Sequence, residues 1–298
     1  MRAGWYRRLR KAALPEPDAH VPWRPTGCTV DCLRLDTPPK VSPLLRPIRL
    51  CALGVCVVVM LCLVATVPPG GRLARWVARV GSHAGLATMG VALRAAPSPH
   101  IDRGGSQSPK GVLVVSGHMS WLDILVLQAV HGPMRMLAMK ELASWPVLGW
   151  LARRVGTVFI DRDRLLALPG TVAELTTALR AGEVVGAFPG GATTCGRHAL
   201  RWRNAVFQAA IDAGAEVLVV RLAYRAAGES TNHAALLRRE TVWSSLWRVL
   251  RLRRLSAELS WEWLARNEAV STRRTLAATA AELAFATGSR GENVLLEG

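Results

Sequence analysis

Between residues 111 and 224 short β-branched apolar runs alternate with longer stretches of helical periodicity, and this alternation restricts the fold more than any other feature. Strands are expected at 111–115, 134–139, 156–160, 184–188 and 216–223, and helices at 120–130, 141–154, 169–181 and 203–213. Elements in that order specify an α/β fold, a sheet covered by helices. A helix near 241–252, a strand at 255–263 and a closing helix at 272–287 continue it, and no internal repeat is visible. At 298 residues the chain has room for one sizeable catalytic domain and additional elements.

Residues 111–127 hold the first candidate chemistry. Gly111-Val112-Leu113-Val114-Val115 reads as a buried strand, Ser116-Gly117 breaks it, and an apolar helical run with Ser120 as N-cap follows. His118 then occupies the turn at a strand's carboxyl end, where open α/β sheets place ligands, and Asp123 the first helical turn. Side chains five residues apart on one ideal helix diverge by roughly 140°, so the two meet only if His118 sits ahead of the helix and folds back. A carboxylate on one imidazole nitrogen fixes the tautomer and raises the basicity of the other, which makes a general base. Taken alone, the pair is better read as a turn histidine and a helix-start aspartate that offsets the dipole.

Ahead of this pattern, residues 50–67 form an uncharged run of 18 residues, about 27 Å as a helix against a hydrocarbon core of roughly 30 Å. A cleaved signal peptide is not expected, because nearly fifty residues precede the run and Val67-Pro68-Pro69-Gly70-Gly71 is a poor cleavage site. Arg46 and Arg49 flank one end and Arg72, Arg75 and Arg79 the other, so the positive-inside rule gives no orientation. Leu73, Trp76, Val77, Val80 and Ala84 share one helical face, and Arg72, Arg75 and Arg79 another. This is the pattern of an interfacial helix or of one packed on the catalytic domain. Residues 48–96 are therefore expected to be membrane-anchoring helices. Residues 1–47, rich in Pro and Arg, cannot bury enough surface to fold alone and read as a disordered basic arm, with or without a role over acidic lipid. Residues 97–110 read as a loop.

A net charge of +17 on a chain that is 50% hydrophobic leaves two usual partners, nucleic acid and the anionic face of a membrane. The 50–67 run favours membrane lipids; with no zinc-finger spacing, RNP-like motif or Lys-rich tail, no nucleic-acid partner is expected. Of the six cysteines, Cys51, Cys56 and Cys62 lie inside the apolar run. Cys28 and Cys32, with His20 upstream, have a metal-ligand look, but no second pair completes a site, so no metal is expected.

Four ordered blocks carry a more specific signal. His118 and Asp123 are separated by four residues. Lys140-Glu141-Leu142, Pro146 and Gly149 precede Gly156-Thr157-Val158-Phe159-Ile160-Asp161-Arg162. Phe188-Pro189-Gly190-Gly191-Ala192-Thr193-Thr194 and the strand at 217–224 follow. In this order the blocks resemble the lysophosphatidic acid acyltransferase (1-acylglycerol-3-phosphate O-acyltransferase, PlsC-like) family, over about residues 107 to 225.

The resemblance implies a mixed sheet covered by helices, glycerolipid acyltransferase-like, with an N-terminal membrane-associated helical element. Residues 107–298 would be the acyltransferase domain, held at the cell membrane on its cytoplasmic side. It implies acyl transfer from acyl-CoA or acyl carrier protein, as co-substrate and with no cofactor, to a lyso-phospholipid hydroxyl. His118 would be the base, oriented by Asp123, and would later protonate the departing thiolate without an acyl-enzyme. Arg162 would bind the acceptor phosphate, with Lys140 as a second candidate; without the resemblance, a salt bridge to Asp161 or Asp163, or a surface arginine near Arg164, accounts for Arg162 equally well. Cys195 has no base paired with it in the sequence and is not expected to be a nucleophile.

The third block departs from the family pattern. Gly190 stands in place of glutamate, Ala192 replaces a threonine, and Thr193 occupies a place where many members are basic. The fourth block has Leu218 and Arg221 where prolines are usual. Gly190 and Gly191 still offer backbone N–H groups for an oxyanion hole or acceptor loop, or form an ordinary tight turn. Besides lysophosphatidic acid, another acceptor such as a lyso-ornithine lipid fits, as does an impaired homologue that binds membranes or a partner.

Overall fold

A strand buried on both faces must find hydrogen-bond partners on both edges, and the run at 111–115 is such a strand. The computed structural model describes residues 27–35, 37–68, 72–96, 111–162, 164–238, 240–265, 270–285 and 294–295. The elements open with helices α1 (Leu45–Thr66) and α2 (Arg72–Thr88), then β1 (Val91–Ala95), β2 (Val112–Ser116), α3 (Leu122–His131) and β3 (Arg135–Met139). Next come α4 (Pro146–Arg154), β4 (Val158–Ile160), α5 (Leu168–Arg180), β5 (Val184–Ala187), β6 (His198–Ala199) and α6 (Ala205–Ala213). The remainder is β7 (Glu216–Ala226), β8 (Glu229–Ser230), α7 (Val242–Arg251), β9 (Leu255–Trp263), α8 (Arg273–Phe285) and β10 (Val294–Leu295).

The main sheet runs β1-β9-β7-β2-β5-β3-β4, with β8 turned back onto β7. β2 sits between β5 and β7, parallel to both, with Val112 opposite Val184 and Glu216. β9 is antiparallel to β7 and parallel to β1, so the sheet is mixed, as expected. Leu113 and Val115 face Leu175, Leu179, Phe207 and Leu276 from α5, α6 and α8. Val112 and Val114 face the other layer, with Leu122, Val126 and Leu127 of α3. Each fully buried side chain of this kind contributes about 1.5–3 kcal/mol. Because β2, β3, β4 and β5 are parallel, the loops leaving their carboxyl ends gather on one side.

Three expectations are corrected. The helix expected at 141–154 is broken: Lys140–Ser144 is a 3-10 turn and α4 begins at Pro146, because proline has no N–H to donate and fits only a first turn. Residues 48–96 are not helices throughout, since Gly90 ends α2 at φ +76° and β1 joins the sheet beside β9. Only Val91 of β1 is buried, which left its alternation faint. The basic arm is folded where it is described. Cys28, Leu33 and Val41 are buried, Val41 N donates to Arg251 O at 2.8 Å, and Arg253 N donates to Pro39 O at 2.9 Å. The domain supplies the apolar surface that the segment lacks alone. Residues 1–26 with His20, the loop at 97–110, Asp163 and positions 286–287 of the closing helix lie outside the described residues.

α1 has no buried residue and a mean hydropathy of 2.7 over an 18-residue window, so it is long and apolar enough to cross a membrane. Leu73, Trp76 and Val80 of α2 are exposed beside it, as are Trp145, Val147, Leu148 and Trp150 around α4. A contiguous apolar surface of this kind supports membrane association. Several arginines face inward instead. Arg49 donates to Leu250 O and Leu252 O at the end of α7, Arg79 to Ala129 O and Val130 O at the end of α3, and Arg154 to Val64 O and Val67 O at the end of α1. Each satisfies carbonyls that a helix end leaves open.

His131, buried at the end of α3 against the edge of Trp261, is held down to about 4 by burial and by Arg79. The unfolded chain takes up this proton below roughly 6.5, whereas the folded chain does so only near 4. Stability is therefore complete above that range and falls by about 3 kcal/mol as pH drops through it. His131→Leu should melt with a visibly smaller difference between pH 7 and pH 4.

Candidate active site

β2 ends at Ser116, and the chain runs through Gly117, His118, Met119 and Ser120 before α3 starts. His118 thus lies ahead of the helix and folds back, with Nδ1 2.8 Å from Asp123 Oδ2. Ser120 is not the N-cap, since α3 starts at Leu122; its Oγ accepts from Leu122 N at 3.2 Å. The N–H groups of Met119 and Ser120 donate instead to Asp123 Oδ2 at 2.7 and 2.8 Å, and Tyr224 OH donates to Oδ1 at 2.6 Å. Asp123 is fully buried. Surrounded by donors, it is an ionised acceptor, which leaves Nδ1 of His118 as the N–H and Nε2 as the free lone pair. Burial, with the Asp123 charge beside it, pushes the Tyr224 phenol well above its ordinary range, so it stays a donor.

The imidazole is held from the side as well. Phe188, at the carboxyl end of β5, stacks on it with ring centroids 3.9 Å apart and planes 9° from parallel. Thr194 N donates to His118 O at 2.9 Å. One edge stays open, since the His118 side chain is 20% exposed.

Arg162 follows the carboxyl end of β4. Burial holds its guanidinium below the ordinary arginine range, with Glu141 opposing and Arg203 adding to the shift. The Arg203 guanidinium is likewise lowered by burial, and the backbone N–H of Arg203 donates to Pro189 O at 3.0 Å. Arg203 thus ties to the turn that follows Phe188 through its backbone, and its charge is felt at Arg162. Lys140 pairs with Asp161 at 2.7 Å, so the neighbouring acid engages Lys140.

In the third block, Gly191 N donates to Phe188 O at 3.0 Å and closes a tight turn, with Gly191 at φ +76°. A Cβ on Gly190 would stand 3.3 Å from Leu200 Cβ, so a glutamate there requires Leu200 to give by a few tenths of an ångström. Thr193 Oγ1 donates to Leu236 O at 2.5 Å, which fastens the turn to the loop after β8. Cys195 is buried beside Cys28 and Cys32. The Cys28 thiol bonds it and lowers its pKa, while Cys28 itself is raised.

Phe188, Tyr224 and Arg203 received no role from sequence. Phe188 and Tyr224 lie within quoted blocks but six and more elements from His118, and only the strand order brings them to it.

A profile described as Acyltransferase matches residues 101–224, the span that contains the dyad, Arg162, the Phe188 turn and Tyr224. Those residues carry an acyltransferase domain. The 1-acyl-sn-glycerol-3-phosphate acyltransferase of Neisseria gonorrhoeae is 41% identical over 124 residues, 42% of this chain and 48% of that protein. The lyso-ornithine lipid O-acyltransferase of Pseudomonas aeruginosa is 33% identical over 152 residues, 50% of this chain and 57% of that one. The chain therefore spans about half the length of the curated relatives it matches. In fold, the acyltransferase domain and its flanking elements resemble the crystal structure of the 1-acyl-sn-glycerophosphate acyltransferase PlsC of Thermotoga maritima. Its TM-score is 0.57 at 15% identity, over 82% of this chain and 92% of that one.

Proposed function

We propose that this protein is a membrane-bound O-acyltransferase that transfers a fatty acyl group from acyl-CoA or acyl carrier protein to the hydroxyl of lysophosphatidic acid, forming phosphatidic acid for phospholipid biosynthesis. The observation that carries it is the His118–Asp123 pair, whose carboxylate accepts four donors and so presents Nε2 of His118 as a base. The acceptor oxygen attacks the thioester carbonyl as Nε2 takes its proton. Collapse of the tetrahedral intermediate expels the thiolate, which receives that proton from the imidazolium. Asp123 stabilises the transient cation. Arg162 holds the acceptor's phosphate, with Arg203 beside it, and the Pro189-Gly190-Gly191 turn borders the reacting carbonyl. The apolar surface of α1 and α2 keeps the domain at the cytoplasmic face of the membrane, where both lipid and soluble donor are within reach.

A lyso-ornithine lipid is the second acceptor to consider, because relatives with that printed activity are 33 to 40% identical to this chain. Arg162 separates the two. Charge-assisted hydrogen bonds contribute about 1.5–3 kcal/mol, so Arg162→Ala should lower kcat/KM for lysophosphatidic acid by about 10- to 100-fold, chiefly through KM. The assay compares labelled acyl-CoA transfer to both acceptors in detergent. Equal losses for the two, or a native preference for the phosphate-free acceptor, would remove lysophosphatidic acid from the proposal.

A further inference from the structure

Three cysteines converge where the amino-terminal segment meets the catalytic turn. Cys28 and Cys32 come from the 3-10 segment around Val30–Leu35, and Cys195 follows Thr194 directly. Their sulfur atoms all lie within 4.8 Å of one another, Cys28 and Cys195 are buried, and none of the three is in a disulfide. Three ligands on one tetrahedral zinc, each at about 2.3 Å, stand roughly 3.8 Å apart, so only a small closure separates the observed arrangement from a ligand set. Three residues beyond Cys195, His198 of β6 has a buried Nδ1 with no hydrogen-bond partner among the described residues. The Cys-x3-Cys pair is thereby brought to Cys195 from a distant part of the chain, with His198 three residues beyond it in a Cys-x2-His spacing.

We propose that Cys28, Cys32 and Cys195 bind a thiophilic divalent cation, zinc above all, with His198 Nδ1 completing the tetrahedron. Soft thiolates select zinc over harder ions, and coupling two of three thiols as a disulfide leaves the third stranded in the same buried space. The role is structural. Thr194 N holds His118 O at 2.9 Å, and a Cβ on Gly196 would stand 2.7 Å from Met119 Sδ, so the peptide around Cys195 backs the catalytic histidine. On the other side, Asn232 Nδ2 donates to Cys32 O at 2.8 Å and His233 Nε2 bonds Leu33 O at 3.0 Å. The cation would fasten the amino-terminal segment to the turn behind His118, independently of which lipid is acylated.

The test is the metal content of the full chain, purified in detergent without added metal or chelator and measured by plasma mass spectrometry. About one zinc per chain is expected. Cys28→Ser, Cys32→Ser and Cys195→Ser should each lose it, whereas Cys56→Ser, in α1, should retain it. Cobalt exchanged into the unsubstituted protein should give a thiolate charge-transfer band, a readout that needs no folded variant. His198→Ala should bind zinc more weakly; unchanged affinity would overturn that residue's assignment. A native chain that retains neither zinc nor added cobalt after gel filtration, or intact-mass and thiol counting that show a Cys28–Cys195 disulfide, would overturn the site.

Discussion

His118→Ala should lower kcat for acyl transfer by about 10²- to 10⁴-fold, the usual worth of a positioned general base, while the melting temperature moves little. The fold has small need of the imidazole itself. Its ring rests on Phe188 with one edge open, and three of the four donors to Asp123 belong to the backbone and to Tyr224. KM for the lyso-lipid should stay within a few-fold, since the acceptor's phosphate is assigned to Arg162. A variant that keeps more than a tenth of the native kcat would show that another group takes the proton.

Asp123→Asn should cost a comparable factor, about 10²- to 10⁴-fold in kcat, by a different route. The amide is nearly the carboxylate's shape, and its oxygen can still accept from Met119 N, Ser120 N and His118 Nδ1. Its NH2 then faces Tyr224, whose hydroxyl can turn from donor to acceptor. The fold therefore survives, whereas Asp123→Ala would leave those donors buried and unmatched at about 1–3 kcal/mol each. What Asn cannot supply is the negative charge opposite the imidazolium that forms as the hydroxyl attacks. Kinetics and melting measured on the same preparation separate the two effects. Native kcat in Asp123→Asn would reduce the carboxylate to a structural buckle.

The strand, break and helix around His118 were legible because hydrophobic period, Ser-Gly break and block order agree locally. What could not be read is what the sheet brings from a distance. Tyr224 lies 101 residues from Asp123 and meets it because β7 runs parallel beside β2. Phe188 meets His118 because β5 is the neighbour on the other side. Arg203 carries no block signature and becomes visible only through its bond to Pro189 O. The folded part of the arm was missed for a related reason. Composition reports that a proline-rich segment cannot make its own core, but it cannot report that Cys28 and Leu33 complete the core of another. Similarly, Cys28 and Cys32 look like half a site until β5 and the loop after it deliver Cys195.

Gly190 bears most on whether the dyad is used, because the family pattern that the sequence resembles would place a glutamate there. The most direct measurement follows labelled acyl-CoA and acyl carrier protein with the purified native chain, a panel of lyso-lipids, and Gly190→Glu in parallel. Acceptor-dependent ester, formed mole for mole with released thiol by the native chain, is the predicted result. No ester from the native chain with any donor or acceptor, alongside strong turnover once Gly190→Glu is introduced, would contradict it and make the native protein a membrane binder that has lost its reaction.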